Sequence, residues 1–271
     1  MEHTWDRRTN DVGNIALFEH VNLLVPDLDL ATQFYVDALG LTRDPYVEHR
    51  PNLVWINVGQ QQFHLPRGDA QRVRGLVELV VPDSGRLARR LDDMSGQFAN
   101  TAFDVEIGEG VVDIRCPWGN HLRCHEASPN ARVQLGLRAV EFTVPSGVAE
   151  GIGRFYSEAM GALVTVMDDV CTVDAGPHQA LVFRGSTEAI ADYDGHHIAV
   201  YVSDFSNPHK WLDSHGLLVA DSKEHEYRFN WIVDPASGER LFEIEHEVRC
   251  LYNPLYNRPL ANRNPEQRQP T

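Results

Sequence analysis

The sequence predicts an α+β fold in which one βαβββ unit is used four times, arranged as two similar halves. Three observations carry this. Short alternating apolar runs ending in Val-Pro read as half-buried strands. Each is followed by apolar positions at helical spacing that stop at a glycine. The succession then recurs in the same order further along the chain.

The first strand and helix are FEHVNLLVPDLDLATQFYVDALGL, from Phe18, and their counterpart is LRAVEFTVPSGVAEGIGRFYSEAMGA, from Leu137. Both helices carry a Phe-Tyr pair (Phe34-Tyr35, Phe155-Tyr156) and end at a glycine (Gly40, Gly161). NVGQQQFHLPRG, from Asn57, lies without gaps on DAGPHQALVFRG, from Asp174, which pairs Gly59 with Gly176. GLVELVVPD, from Gly75, matches HHIAVYVSD, from His196, and CPWGNHLRCHE, from Cys116, resembles DPASGERLFEIE, from Asp234, with one extra residue in the later copy. Four modules follow, near residues 15–70, 71–130, 133–188 and 192–250. Residues 1–130 form a first half and 131–250 a second, joined through SPNARV (128–133). The tail, 251–271, is rich in Pro, Asn and Arg without an apolar period. It is expected to be irregular, with its aromatic start packed on the body and its end frayed.

The chain has 271 residues, 42% of them hydrophobic, which is enough to bury a full core. Its net charge of −15, from 24 basic and 39 acidic side chains, disfavours nucleic acid or an anionic membrane as partner, since both need a cationic surface. There is no apolar run of about eighteen residues to cross a bilayer. The polar start, MEHTWDRRTNDVGN, does not read as a secretory signal. Cys116, Cys124, Cys171 and Cys250 form neither a CxxC pair nor a dense framework, so free thiols in a reducing cytoplasm are expected. The expected partner is a small molecule, with monomer and homo-oligomer both open.

A strand beginning His-Val or His-Ile, an FY-containing helix ending in Gly, and a late strand preceded by an Asp-Pro…Gly turn (Asp234, Pro235, Gly238) and carrying an acidic residue together resemble the vicinal oxygen chelate superfamily. That superfamily includes glyoxalase I, bleomycin-resistance proteins, methylmalonyl-CoA epimerase, fosfomycin-resistance enzymes and type I extradiol dioxygenases. The resemblance covers most of residues 15–250. It implies that βαβββ modules pair into curved, incompletely closed barrels. It also implies a divalent metal in the cleft, held by first and last strands and open to vicinal oxygens of a substrate.

Under that resemblance the ligand position in the four first strands reads His20, Leu76, Ala139 and His197. The acidic position in the last strands of modules two and four reads Cys124 and Glu243. His20, His197 and Glu243 make a two-histidine, one-carboxylate set suited to Fe(II) or Mn(II), with Zn(II) or Ni(II) for glyoxalase-type chemistry. Glu245, on the same strand face, is the alternative carboxylate. His196 precedes the ligand and points the other way. Leu76, Ala139 and Cys124 could not hold a hard cation. The ligands unite only if modules one and four face each other, within one chain or by exchange between subunits. This predicts a one-plus-four cleft with metal and a two-plus-three cleft without it.

His64 ends the last strand of module one. The resemblance gives it one of two roles, fourth ligand as in glyoxalases or acid–base catalyst as in extradiol dioxygenases, and an imidazole is suited to proton transfer near neutrality. EHEYRFNWIVDPASGERLFE is similar to the extradiol signature, with His225 in place and Trp231 where a tyrosine is expected. Tyr227 substitutes if it faces the same cleft, and by strand alternation Tyr227, Phe229 and Trp231 are expected to share a face. His225 and Tyr227 are then expected to orient substrate, and Trp55 and Phe63 to line its pocket. The implied activity is extradiol-type cleavage of a catecholic ring. The alternatives are a glyoxalase-like isomerase, epimerase or lyase, and a non-catalytic binding or resistance protein.

Overall fold

The computed structural model describes residues 6–47, 50–129 and 131–260. Among them, each module has one strand, one helix and three more strands. Module one comprises β1 (Ile15–Asn22), α1 (Leu28–Thr32), β2 (Thr42–Arg43), β3 (Leu53–Val58) and β4 (Gln61–Pro66). Module two comprises β5 (Gly75–Val81), α2 (Ser84–Met94), β6 (Asp104–Gly108), β7 (Val111–Arg115) and β8 (His121–Glu126). Module three comprises β9 (Gly136–Pro145), α3 (Ala149–Arg154), β10 (Val164–Met167), β11 (Val170–Asp174) and β12 (Ala180–Ser186). Module four comprises β13 (His197–Val202), α4 (Ser206–Ser214), β14 (Leu218–Lys223), β15 (Glu226–Val233) and β16 (Arg240–Cys250).

Local chemistry explains the helices. Asp27 caps α1 by accepting from the N–H groups of Asp29 and Leu30, and Asp83 caps α2 by accepting from Arg86 N–H. Helices α1 and α3 both widen into a π-type turn, at Gln33–Ala38 and Phe155–Ala159. That turn buries both Phe-Tyr pairs against the sheets. Gly40 and Gly161 follow with φ of +73° and +65°, the left-handed conformation a glycine adopts without Cβ strain.

The strands form two eight-stranded sheets that do not close on themselves. The first runs β14-β15-β16-β13-β1-β4-β3-β2, from modules four and one, and the second runs β10-β11-β12-β9-β5-β8-β7-β6, from modules three and two. Each sequence half therefore contributes one module to each sheet, and modules one and four meet within a single chain. At each centre two first strands pair antiparallel, β1 with β13 and β5 with β9. The sheets are stitched symmetrically: Gln61 Oε1 accepts from Leu137 N–H, and Gln179 Oε1 accepts from Phe18 N–H. This makes Gln61 the counterpart of Gln179, so the β11–β12 hairpin carries one residue more than β3–β4. The ungapped match of Asn57–Gly68 to Asp174–Gly185 is out of step beyond that turn.

Candidate metal centre

Strand register builds the centre. The β1–β13 ladder sets Asn22 beside His197 and His20 beside Ala199, and the β13–β16 ladder sets His197 beside Glu245 and Ala199 beside Glu247. Side chains alternate along a strand, so His20, His197, Glu245 and Glu247 share the inner face of the first sheet. The Nε2 atoms of His20 and His197 lie 3.4 Å apart, and His197 Nε2 is 3.5 Å from Glu247 Oε2. One potential ligand atom from each of His20, His197 and Glu247 falls within 4.8 Å of the others.

Glu243, the carboxylate expected from sequence, is outside this group. The β13–β16 ladder starts at His197 and Glu245, so Glu243 lies beyond the end of β13. It pairs with Trp231 on β15 instead, and its carbonyl accepts from Arg74. Glu243 lies on the same strand and face as Glu247, four residues before it. Glu245, the alternative, stands 3.4 Å from His197 Nδ1.

A bulge supplies the next feature. Between Phe18 and His20 the β1 register slips by one residue, which turns Glu19 to the same face as His20. Glu19 accepts a short hydrogen bond from His20 Nδ1–H and another, 3.0 Å long, from Arg249. With Nδ1 protonated, His20 presents an Nε2 lone pair toward His197 and Glu247. Each histidine thus has a carboxylate at Nδ1 (Glu19, Glu245), the arrangement that orients metal-ligating imidazoles.

Two arginines frame the carboxylates. Arg228 donates to Glu245 at 2.6 Å and to Glu247, and Arg249 pairs with Glu247 and Glu19. Glu226 faces both arginines and also takes Lys223 at the rim. Burial pushes the Glu247 carboxyl up, but the His197 hydrogen bond and the charges of Arg249 and Arg228 outweigh it and hold it well below its ordinary value. Burial pushes both His20 and His64 well below the ordinary imidazole value. Four carboxylates against three cations leave negative charge in excess, and the donor set is the one hard divalent metals take. The residues present therefore fit a divalent cation.

His64 is also here. Strand β4 sets it beside Asn22 and β3 sets Trp55 beside it. Its ring is stacked between His20, 3.7 Å away, and Trp55, 4.0 Å away, centroid to centroid. It groups with Glu19 and His20 but not with the His20–His197–Glu247 set.

The other expected site residues are elsewhere. Tyr227 is buried on the opposite face beneath α4, against Phe205 and His209. His225 sits in the β14–β15 turn, its Nδ1 3.5 Å from Cys250 Sγ. Neither reaches the centre. Nor do Tyr227, Phe229 and Trp231 share a face: a register slip between Phe229 and Trp231 leaves Phe229 stacked on His246 in the core and brings Trp231 beside Glu243. Phe63 packs in the core on Tyr35, while Trp55 faces the centre. His196, next to His197, is buried and bonded to Asp194.

In the second sheet the corresponding row is Ala139, Glu78 and Arg123. The counterpart of Glu247 is therefore Arg123, not Cys124, which points into the core with its thiol pushed up to about 12 by burial. Arg123 donates to Asp113 at 2.8 Å. A fixed guanidinium occupies the row position that carries a carboxylate in the first sheet.

The segment after β16 covers the end of the first sheet. Tyr256 packs on Tyr201, and Arg258 pairs with buried Asp44 and lies over Tyr46 and Trp55. Beneath it is a cavity of about 730 Å³ bordered by Glu19, Tyr201, Arg132, Tyr256 and Arg258. Tyr252, at the aromatic start of the tail, is exposed; residues 261–271, where fraying was expected, lie outside the described residues. Among the described residues no helix is long and apolar enough to cross a membrane.

No family model matches the chain. A segment of 78 residues is 32% identical to the mitochondrial methylmalonyl-CoA epimerase of Homo sapiens and covers 27% of this chain and 44% of the epimerase, so it spans less than half of that relative. A candidate dioxygenase from Bacillus subtilis superposes with a TM-score of 0.58 at 15% identity, over 92% of this chain and 87% of that one. Glyoxalase I from Zea mays superposes with a TM-score of 0.58 at 13% identity, over 86% of this chain and 92% of that one. With the four modules, their pairing and these likenesses together, the chain has the fold of the vicinal oxygen chelate superfamily.

Proposed function

We propose that the protein is a metal-dependent enzyme of the vicinal oxygen chelate superfamily, acting as an extradiol-type dioxygenase on a catecholic small molecule. The observation that carries this is the pair of imidazoles whose Nε2 atoms converge on Glu247 while carboxylates stand at both Nδ1 atoms. His20, His197 and Glu247 would hold Fe(II), and His64 stands beside that set as a fourth group outside it. When bound, the metal supplies a Lewis acid with open positions for two vicinal substrate oxygens and for dioxygen.

The remaining work falls to the chain. Glu19 and Glu245 orient the imidazoles, and Arg228 and Arg249 hold Glu247 in its ionised form. His64, kept neutral by burial, takes a substrate hydroxyl proton at Nδ1 and returns it to the opening ring. Trp55 packs on His64 and holds its ring in place. The test is metal analysis of anaerobically purified protein, followed by addition of catechols under air. Iron near one per chain and a yellow ring-cleavage product are expected; bound metal with no product from any catechol would sink the dioxygenase reading.

A second reading, a glyoxalase-like isomerase, epimerase or lyase, is favoured by the identity to the epimerase and by the stacking of His64 on His20. It requires His64 as a fourth ligand. X-ray absorption of the metal-loaded protein separates the two, with three protein ligands expected for oxygen chemistry and four for proton transfer.

A further inference from the structure

We infer that Gln62, locked by Asp44, is a positioning residue that holds His64 as its Nε2–H tautomer and leaves Nδ1 as the nitrogen with a free lone pair. Asp44 follows β2 and is fully buried. Its Oδ1 accepts from Tyr46 N–H at 2.7 Å, and its Oδ2 accepts from Gln62 Nε2 at 2.5 Å. Arg258 completes the carboxylate's partners as an ion pair from the C-terminal segment.

The direction of the Gln62 amide follows from donor and acceptor chemistry. An ionised carboxylate only accepts, so the NH₂ end of Gln62 must face Asp44. The same nitrogen donates to Asn57 Oδ1 at 2.6 Å, a second acceptor on the same side. Rotating the amide by half a turn would set its oxygen against both acceptors in a buried site, at the cost of two hydrogen bonds. Oε1 is therefore turned to His64 Nε2, 3.0 Å away. A carbonyl oxygen accepts and cannot donate, so the proton between them is on His64 Nε2. Among the described residues Asn57 Nδ2 has no hydrogen-bond partner, which is the cost of presenting its oxygen to Gln62.

Trp55 presses on the outer face of the His64 ring and His20 on the inner, so the ring is fixed in plane as well as in tautomer. Arg258 lies over Trp55 and binds Asp44 together, so a segment remote in sequence braces both restraints. The use of Nδ1 as the proton-accepting atom rests on the proposed function; the tautomer itself does not.

The test is long-range ¹H–¹⁵N correlation of the full-length, metal-free protein labelled at histidine, with the His64 signals assigned by His64→Gln. Wild type should show His64 with Nε2 protonated and Nδ1 bare. In Asp44→Asn the new amide can donate to Gln62 Oε1, which releases the Gln62 amide to turn over, and the Nδ1–H form should appear. Gln62→Leu and the closer-shaped Gln62→Met should give a mixture of tautomers. A wild-type Nδ1–H signal, or an unchanged tautomer in all three variants, overturns the inference. Failure of the wild type to bind Mn(II) would instead remove the metal centre and leave the tautomer result standing.

Discussion

The Nε2 atoms of His20 and His197 face one another across 3.4 Å, from first strands that belong to opposite ends of the chain. Two neutral imidazoles gain little by this approach unless a cation lies between them and Glu247. The first prediction concerns that cation. Glu247→Gln should weaken Mn(II) binding by more than the ~10–100-fold typical of losing an outer partner, whereas Glu243→Gln should leave it within about threefold. Isothermal titration on both variants decides between the two carboxylates, and equal effects would contradict the register described above.

Glu19 tests the support behind the ligands. Glu19→Gln keeps the side chain's shape but not its charge, so His20 loses its carboxylate and Arg249 one of its partners. Metal affinity should fall by about 10–100-fold. The same titration measures it, and an affinity equal to wild type would show that Glu19 does not orient His20.

A third prediction is a pH dependence of stability from His246. This ring is fully buried, accepting from Tyr156 O–H at 2.6 Å and donating to the Ile244 carbonyl at 2.9 Å, and burial lowers it to about 4. The unfolded chain binds a proton near 6.5 while the folded chain does not. The contribution is therefore full above pH 6.5 and lost as pH falls toward 4, at ~3 kcal/mol in all. His20 and His64 are shifted in the same direction, so the measurement is a difference. Urea unfolding at pH 7.5 and 4.5 should show a smaller loss for His246→Gln than for wild type, and parallel losses would refute the assignment.

The cysteines give a fourth. All four thiols are buried, and burial pushes Cys124 and Cys171 up to about 12. A disulfide reagent at pH 8 should react slowly with the native protein and rapidly with four thiols in denaturant. A fast native reaction of Cys124 or Cys171 would count against the packing of the second sheet.

The fold was legible because duplication prints the same period twice: Phe34-Tyr35 and Phe155-Tyr156 are not merely similar words but occupy the same widened helical turn. The convergence of His20 and His197 was legible for the same reason, since matching positions in matching strands survive without knowledge of the ladder. Glu247 was not, because a strand bearing Glu243, Glu245, Glu247 and Arg249 on one face offers several candidates, and only the partner strand selects among them. The two slips, at Glu19 and before Trp231, were also hidden. A bulge changes which residues share a face without changing composition or spacing. Gln62 and Asp44 lay outside any motif, and their role exists only through the hydrogen bonds they exchange.

The pairing of β1 with β13 has a consequence during synthesis. Modules two and three are neighbours in sequence and can complete their sheet as soon as β12 has left the ribosome. Strand β1, made among the first, waits for β13 and β16, made among the last, an interval on the order of ten seconds to a minute at usual translation rates. During that wait the nascent chain carries an unpaired apolar strand edge, a template for the wrong partner. His20, His197 and Glu247 come together only when the final strand arrives, so a prematurely terminated product, however well its middle folds, lacks their convergence.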